Sequence, residues 1–247
     1  MVPGPSSQLV SFTSHTTISK VRCAKVSFGH VLTGASCHGN QLSTWENANL
    51  PLIAYPTVGD ATQRARVETF SKAISEAIAQ QKKRLVSGFG LTVGSATLGG
   101  ALGVVLQEAA PNLERSFLLR PFPQEAPPGI ALDAFQELYR ESMIQNAALC
   151  VVISGEKEVP GGGLGVADGV LKEAEKARAL GKLVLPIGGT GGAAEQIYTE
   201  MRKSGSWTVS GLSAKQLGDL GKSTINPAEA AKAVGLVIDA LDKRTGA

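Results

Sequence analysis

A chain of 247 residues, 43% hydrophobic and 18% charged, is long enough for one sizeable core and short for two catalytic domains. A formal net charge of +3, with no basic run and only 5% aromatics, argues against a surface that tracks nucleic-acid phosphates or stacks bases, and suits a small anionic ligand. No apolar stretch reaches the roughly 18 residues of a membrane span, and three cysteines cannot build a disulfide framework, so a cytoplasmic protein with no membrane or nucleic-acid partner is expected.

Residues 1–47 hold all three histidines, two of the three cysteines and only four charged residues, Lys20, Arg22, Lys25 and Glu46. They read as an irregular appendage with short strands at 25–28 and 30–33. Cys23, His30, Cys37 and His38 lack the paired spacing of a zinc site, so no metal is expected.

From residue 48 to 247 the pattern changes to short apolar runs alternating with helical periodicity, the signature of βαβ units. Strands are expected at 51–55, 84–87, 116–119, 149–153 and 183–187, and helices at 62–81, 93–109, 133–146, 169–180, 193–203 and 227–243. This predicts an α/β fold: a Rossmann-like open, mostly parallel sheet of about five or more strands with helices on both faces. Ile74, Ala77 and Ile78 point inward from the first helix, and Phe135, Leu138, Ile144 and Ala147 form the stripe of the third. In the fourth, Asp168 is the expected N-cap, Val170, Ala174 and Ala177 line the buried face, and Gly181 stops the helix.

Ligands of open parallel sheets bind beyond the carboxyl ends of the strands. After the second strand comes Ser87-Gly88-Phe89-Gly90, then Gly94 in a helix start, a turn that permits close ligand approach and offers free N–H groups to phosphate. Its G-x-G-x-x-x-G spacing is one residue off the dinucleotide fingerprint, and no matched acidic residue follows to hold a ribose. The third strand ends at Arg120, which reads equally as a phosphate anchor or a surface ion pair, with Phe122 beyond it able to stack on a base. Arg140 offers a second cation. After the fourth strand come Ser154-Gly155-Glu156 and a Gly-rich loop, 160–165, able to close over a ligand, then Asp168, Gly169 and Glu173. Gly188-Gly189-Thr190-Gly191-Gly192 supplies a second Gly-rich turn ahead of a helix. No histidine follows His38 and no G-x-S-x-G elbow occurs, so any chemistry would rest on carboxylates.

The segments Val86-Ser87-Gly88-Phe89-Gly90, Arg120-Pro121-Phe122-Pro123, Tyr139-Arg140 with Met143-Ile144, Ala167-Asp168-Gly169-Val170 with Glu173, and Pro186-Ile187-Gly188 with Thr190-Gly191-Gly192 together resemble a SLOG-superfamily domain of the STALD type. The likeness runs over residues 50–243 and is strongest to the C-terminal sensors of sirtuin-type NAD hydrolases in Thoeris antiphage defence. It implies a sensor for a cyclic ADP-ribose isomer made by a TIR protein. It also implies assembly as dimers or tetramers, control of a fused or separate effector, and no cofactor beyond the nucleotide itself.

By the same resemblance Arg120 binds phosphate, Gly88 and Gly90 border the ligand, Arg140 assists, and Glu156 or Glu173 meets ribose hydroxyls. Ser87, Gly94, Phe122, Gly155, Asp168, Gly169, Gly188, Thr190 and Gly191 complete the candidate site. No sirtuin or TIR catalytic segment is read in the chain, so an excised domain or a stand-alone sensor is expected. More distant LOG enzymes cleave nucleotide N-glycosidic bonds with a P-G-G-x-G-T-x-x-E segment. Gly165 to Glu173 stands in its place with Val170 instead of the Thr, which keeps a nucleoside-monophosphate phosphoribohydrolase as the alternative.

Overall fold

The computed structural model describes residues 49–55, 61–90, 93–205, 209 and 211–245. The appendage at 1–47, its strands at 25–28 and 30–33, and Cys23, His30, Cys37 and His38 lie outside the described residues. The elements run β1 (Asn49–Tyr55), α1 (Ala61–Gln80), β2 (Arg84–Ser87), α2 (Val93–Val105), α3 (Leu113–Ser116), β3 (Phe117–Leu119), α4 (Leu132–Gln145) and β4 (Leu149–Ser154). They continue with β5 (Glu156–Glu158), β6 (Leu164–Val166), α5 (Asp168–Ala179), β7 (Leu183–Ile187), a 3-10 turn (Gly188–Thr190), α6 (Gly192–Lys203), α7 (Ala214–Asp219) and α8 (Pro227–Thr245).

β3-β2-β1-β4-β7 form one parallel sheet in that order, and β5 pairs antiparallel with β6. Helices α1, α2 and α8 pack together, as do α4, α5 and α6 in series, so the sheet is covered on both faces. All six residues of β4 are buried, which is why it reads as a continuous apolar run and not as an alternation. The chain steps outward from β1 to β2 and β3, then returns to β4 on the other side of β1. That reversal makes the carboxyl ends of β1 and β4 the switch point at which such sheets open a crevice.

Val67, Phe70, Ser71, Ile74, Ser75 and Ile78 recur at helical spacing and form the buried stripe of α1. α2 lies close against it because Gly100 has no Cβ. One placed there would stand 2.4 Å from Ser75 Oγ and 2.5 Å from the Lys72 carbonyl oxygen. Gly181 ends α5 as expected, at φ +68° in the left-handed region, with its N–H donating to the Arg178 carbonyl.

Several expectations are corrected. The helix read over 93–109 stops at Val105, and Asn112 then caps the short α3 by accepting from Arg115 N–H, so the third strand starts at Phe117. Residues 160–163 of the expected loop lie in the turn of the β5–β6 hairpin, and 164 and 165 belong to β6, paired with Glu158 and Lys157. Asp168 is not the N-cap. Ala167 precedes α5 without a side-chain cap bond, and the Asp168 carboxylate accepts from Lys157 instead, while remaining well placed for the helix dipole. In α4, Leu138 is 65% exposed and Arg140 only 8%, because the buried face carries Arg140, Met143 and Ile144. Helix α7, opened by a Ser213–Gln216 capping box, was not anticipated.

Alanine normally stabilises a helix over glycine by roughly 0.5–1 kcal/mol. Gly103→Ala, whose Cβ would meet nothing within 4 Å, should show that gain in urea unfolding midpoints. Gly100→Ala should lose about 1–3 kcal/mol, because the atom it strikes on Lys72 is backbone and cannot rotate away.

Candidate functional site

The first cluster sits where β2 and β3 end. Ser87 pairs with Leu119, and Arg120 N–H donates to the Ser87 carbonyl at 2.8 Å, so Gly88 and Arg120 leave the sheet side by side. A Cβ on Gly88 would make only ordinary contacts, at 3.8 Å to Met143 Sδ and 4.0 Å to the Arg120 carbonyl, so packing within the chain does not demand glycine here. Arg120 is half-buried, and its guanidinium has no hydrogen-bond or ion-pair partner among the described residues. Ser87 Oγ accepts from Phe89 N–H at 3.1 Å, and Gly94 N–H donates to the Gly90 carbonyl at 2.7 Å, which closes the turn into α2.

The Pro-rich loop after Arg120 is fastened to α4. The Arg140 guanidinium lies 4.7 Å from the Phe122 ring centroid, and Tyr139 meets the same ring edge-on at 5.8 Å. Arg140 also reaches Glu137, with Nη1 to Oε2 at 3.5 Å, and faces Glu173 of α5, with Nε to Oε1 at 3.8 Å. That last distance is too long for a hydrogen bond, and Arg140 Nε is buried without a partner. Arg140 is thus committed to the joint between α4 and α5 instead of standing free in the cleft.

Glu173 is 3% exposed, and burial pushes its carboxyl up from the ordinary 4.5 to about 7 against the opposing pull of Arg140. On the outer side of the joint, the hydrogen bond from Lys176, 2.6 Å away, holds the Glu137 carboxyl below its usual range. Cys150, also buried, has its thiol pushed well up by desolvation and is inert.

The second cluster sits where β4 and β7 end. Ser154 and Gly155 both take positive φ, 53° and 103°, and turn the chain sharply out of β4. The Gly155 carbonyl accepts from Ala167 N–H at 2.9 Å and Ala193 N–H at 3.0 Å, which binds the starts of α5 and α6 to one point. Thr190 is buried, its hydroxyl accepting from Ser154 N–H at 2.7 Å and donating to the Ile187 carbonyl at 2.6 Å. Gly188 lies under the Tyr198 ring, and a Cβ there would be 2.6 Å from Tyr198 Cγ. The N–H groups of Gly189, Gly191 and Ala193 donate to Leu220, Gly188 and Gly155. This turn therefore spends those N–H groups inside the fold, unlike the open phosphate cradle expected from its composition.

Glu156 accepts from Gln63 Nε2 at 2.8 Å and lies over Gly191 and Gly192. Arg66 Nη2 donates to the Gly189 and Ser223 carbonyls, so the first turns of α1 tie down both loops beside a cleft of about 380 Å³. The structure thus gathers Ser87, Gly88, Gly90, Gly94, Arg120, Phe122 and Arg140 on one side. Gly155, Glu156, Asp168, Gly169, Gly188, Thr190 and Gly191 fall on the other, and Glu173 joins the halves through Arg140. Sequence reasoning missed Gln63, whose partner lies 93 positions away, and the left-handed conformations of Phe89 and Ser154, for which neither residue type gives a signal. Among the described residues, no group of three or more His, Cys, Asp or Glu is placed to hold a metal ion, and no helix is long and apolar enough to cross a membrane.

The family described as Sir2- and TIR-associating SLOG, abbreviated STALD, matches residues 53–241. The NAD(+) hydrolase ThsA of Cytobacillus dafuensis is 35% identical over 133 residues, which are 54% of this chain and 27% of that protein. The NAD(+) hydrolases ThsA of Enterococcus faecium and of Bacillus cereus strain MSX-D12 are each 26% identical, over 143 and 162 residues. Those matches cover 58% and 64% of this chain and 28% and 33% of the relatives. The chain therefore spans about a quarter to a third of the length of the curated relatives it matches.

Because the folded protein keeps the Glu173 proton to about pH 7 and the unfolded chain releases it near 4.5, the stability this group contributes is complete below the lower value and is lost as pH rises through the upper one. Glu173→Gln has no proton to lose at this position. Calorimetric Tm measured from about pH 4.5 to about pH 8 should fall less steeply in Glu173→Gln than in the wild type, and equal slopes would remove the assignment.

Proposed function

The chain belongs to the Sir2- and TIR-associating SLOG family, and from that membership we propose that it is a nucleotide sensor. Its ligand is a cyclic ADP-ribose-type signal made by a TIR protein. Its output is control of an antiphage-defence effector, fused or separate, through dimer or tetramer assembly. The effector activity we assign to that pathway is the NAD(+) hydrolysis carried in the relatives' name.

The observation that carries this reading is the Gly88–Arg120 pair. A cation with no partner among the described residues leaves β3 beside a glycine that chain packing does not require, at the edge of the sheet where ligands bind. Phosphate would be gripped by Arg120, with the backbone at Gly88 and Gly90 close alongside. Glu156 accepts one hydrogen bond from Gln63 and keeps acceptor capacity for a ribose hydroxyl. Arg140 assists the site from behind, stacked on Phe122 and facing Glu173.

The hydrolase reading would use Glu173 to stabilise an oxocarbenium-like centre while Arg120 and Arg140 hold phosphate. A carboxyl that titrates near 7 is only partly ionised at neutral pH, and Arg140 is engaged with Glu137 and Phe122. Both facts weaken that assignment, and we place it second.

Titration calorimetry against cyclic ADP-ribose isomers, NAD, ADP-ribose and AMP, with chromatography of each mixture, separates the two. A cyclic isomer bound and recovered intact supports the sensor, and release of free base from AMP supports the hydrolase. Charge-assisted hydrogen bonds contribute about 1.5–3 kcal/mol, so Arg120→Ala should weaken binding roughly 10- to 150-fold with an unchanged Tm. Unchanged affinity would exclude Arg120 as the anchor.

A further inference from the structure

Phe89 stands between two glycines at the end of β2 with φ +51°, a left-handed backbone that penalises any residue carrying a Cβ. Among the described residues the chain meets left-handed positions ten times with glycine and three times with another residue, Lys82, Phe89 and Ser154. A phenylalanine in such a position would ordinarily be compensated by burial, as Phe70 is at 1% exposure, yet Phe89 is 37% exposed. The fold therefore holds a strained aromatic outward without gaining core packing from it.

Two contacts fix its direction. The N–H of Phe89 donates to Ser87 Oγ at 3.1 Å, and the ring rests on the first turn of α2, where a Cβ on Gly94 would stand 3.0 Å from Phe89 Cγ and Cδ2. Phe122, the aromatic that the sequence offers for base stacking, already carries the Arg140 guanidinium at 4.7 Å and the Tyr139 ring at 5.8 Å. Phe89 follows directly on Gly88, which leaves the sheet next to Arg120. An exposed ring one residue beyond Gly88, which itself leaves the sheet against the Arg120 backbone, suits a ligand with an aromatic base at one end and a phosphate at the other.

We propose that Phe89 is the base-stacking residue of this site and confers its preference for nucleotides over base-free sugar phosphates. The proposal rests on the sensor reading above and adds to it which part of the ligand is selected. Stacking on an aromatic is lost on truncation with a penalty that corresponds to about 5- to 150-fold in affinity.

The decisive variant is Phe89→Gly, because glycine adopts φ +51° freely. Its Tm should equal or exceed that of the wild type, while its affinity for the cyclic ADP-ribose isomer the wild type binds falls about 5- to 150-fold. Phe89→Trp, which restores a ring, should bind within about threefold of the wild type. Ribose 5-phosphate should bind all three proteins alike, since it carries no base to stack on residue 89. A lower Tm in Phe89→Gly together with equal weakening of both ligands would make the ring structural and overturn the proposal. Undiminished nucleotide affinity in Phe89→Gly would overturn it while leaving the sensor reading intact. Wild-type protein that binds none of the nucleotides would overturn the sensor reading and this proposal with it.

Discussion

The carbonyl oxygen of Gly155 is the point on which the carboxyl edge of the sheet depends. It receives the N–H of Ala167 and the N–H of Ala193, so one acceptor sets where α5 and α6 begin. It can do so only because Ser154 and Gly155 turn β4 through two consecutive left-handed residues. The same turn presents Ser154 N–H to the buried Thr190 hydroxyl, which brings the end of β7 into register with the end of β4. A Cβ at Gly155 would stand 2.7 Å from Ala193 Cβ, so the junction tolerates no side chain there. Backbone groups buried without partners are costly, and this arrangement satisfies them at the place where the chain must change direction most sharply.

The other half of the edge is organised by charge. Burial of the Glu173 carboxyl outweighs the attraction of Arg140 at 3.8 Å, which is why the carboxyl is pushed up to about 7 from the ordinary 4.5. Glu137 and the Phe122 ring share the guanidinium, so the loop after β3, the body of α4 and the buried face of α5 meet at one cation. This differs from the second cluster, whose centre is held by backbone hydrogen bonds and glycine packing, with the Lys157–Asp168 pair at its margin.

Much of the fold was legible because its strands are short apolar runs bounded by glycine, proline or charge, and the buried positions Val170, Ala174 and Ala177 recur at helical spacing. The β5–β6 hairpin was hidden because Glu156-Lys157-Glu158 has none of the composition of a strand. The amphipathic pattern of α4 misled for a different reason. Leu138 faces solvent and Arg140 faces inward, because an aromatic ring and a carboxylate await the guanidinium, and neither is a neighbour in sequence.

At the candidate site the same division holds. Sequence by itself determined the class of fold, the five strands of the parallel sheet and the glycine-rich turns at the strand ends, because these follow from local composition and periodicity, and the family by the resemblance of its motifs. Only the tertiary structure decided what each turn does. The glycines at 188 and 189 make room for Tyr198 and the Lys222 backbone, whereas Gly88 makes room for nothing in the chain beyond ordinary contact. It also decided that Arg140 is buried and that Arg120 is unengaged among the described residues. The physical reason is that a glycine's missing Cβ and an arginine's partner are properties of whatever packs beside them, and here those neighbours come from distant parts of the chain.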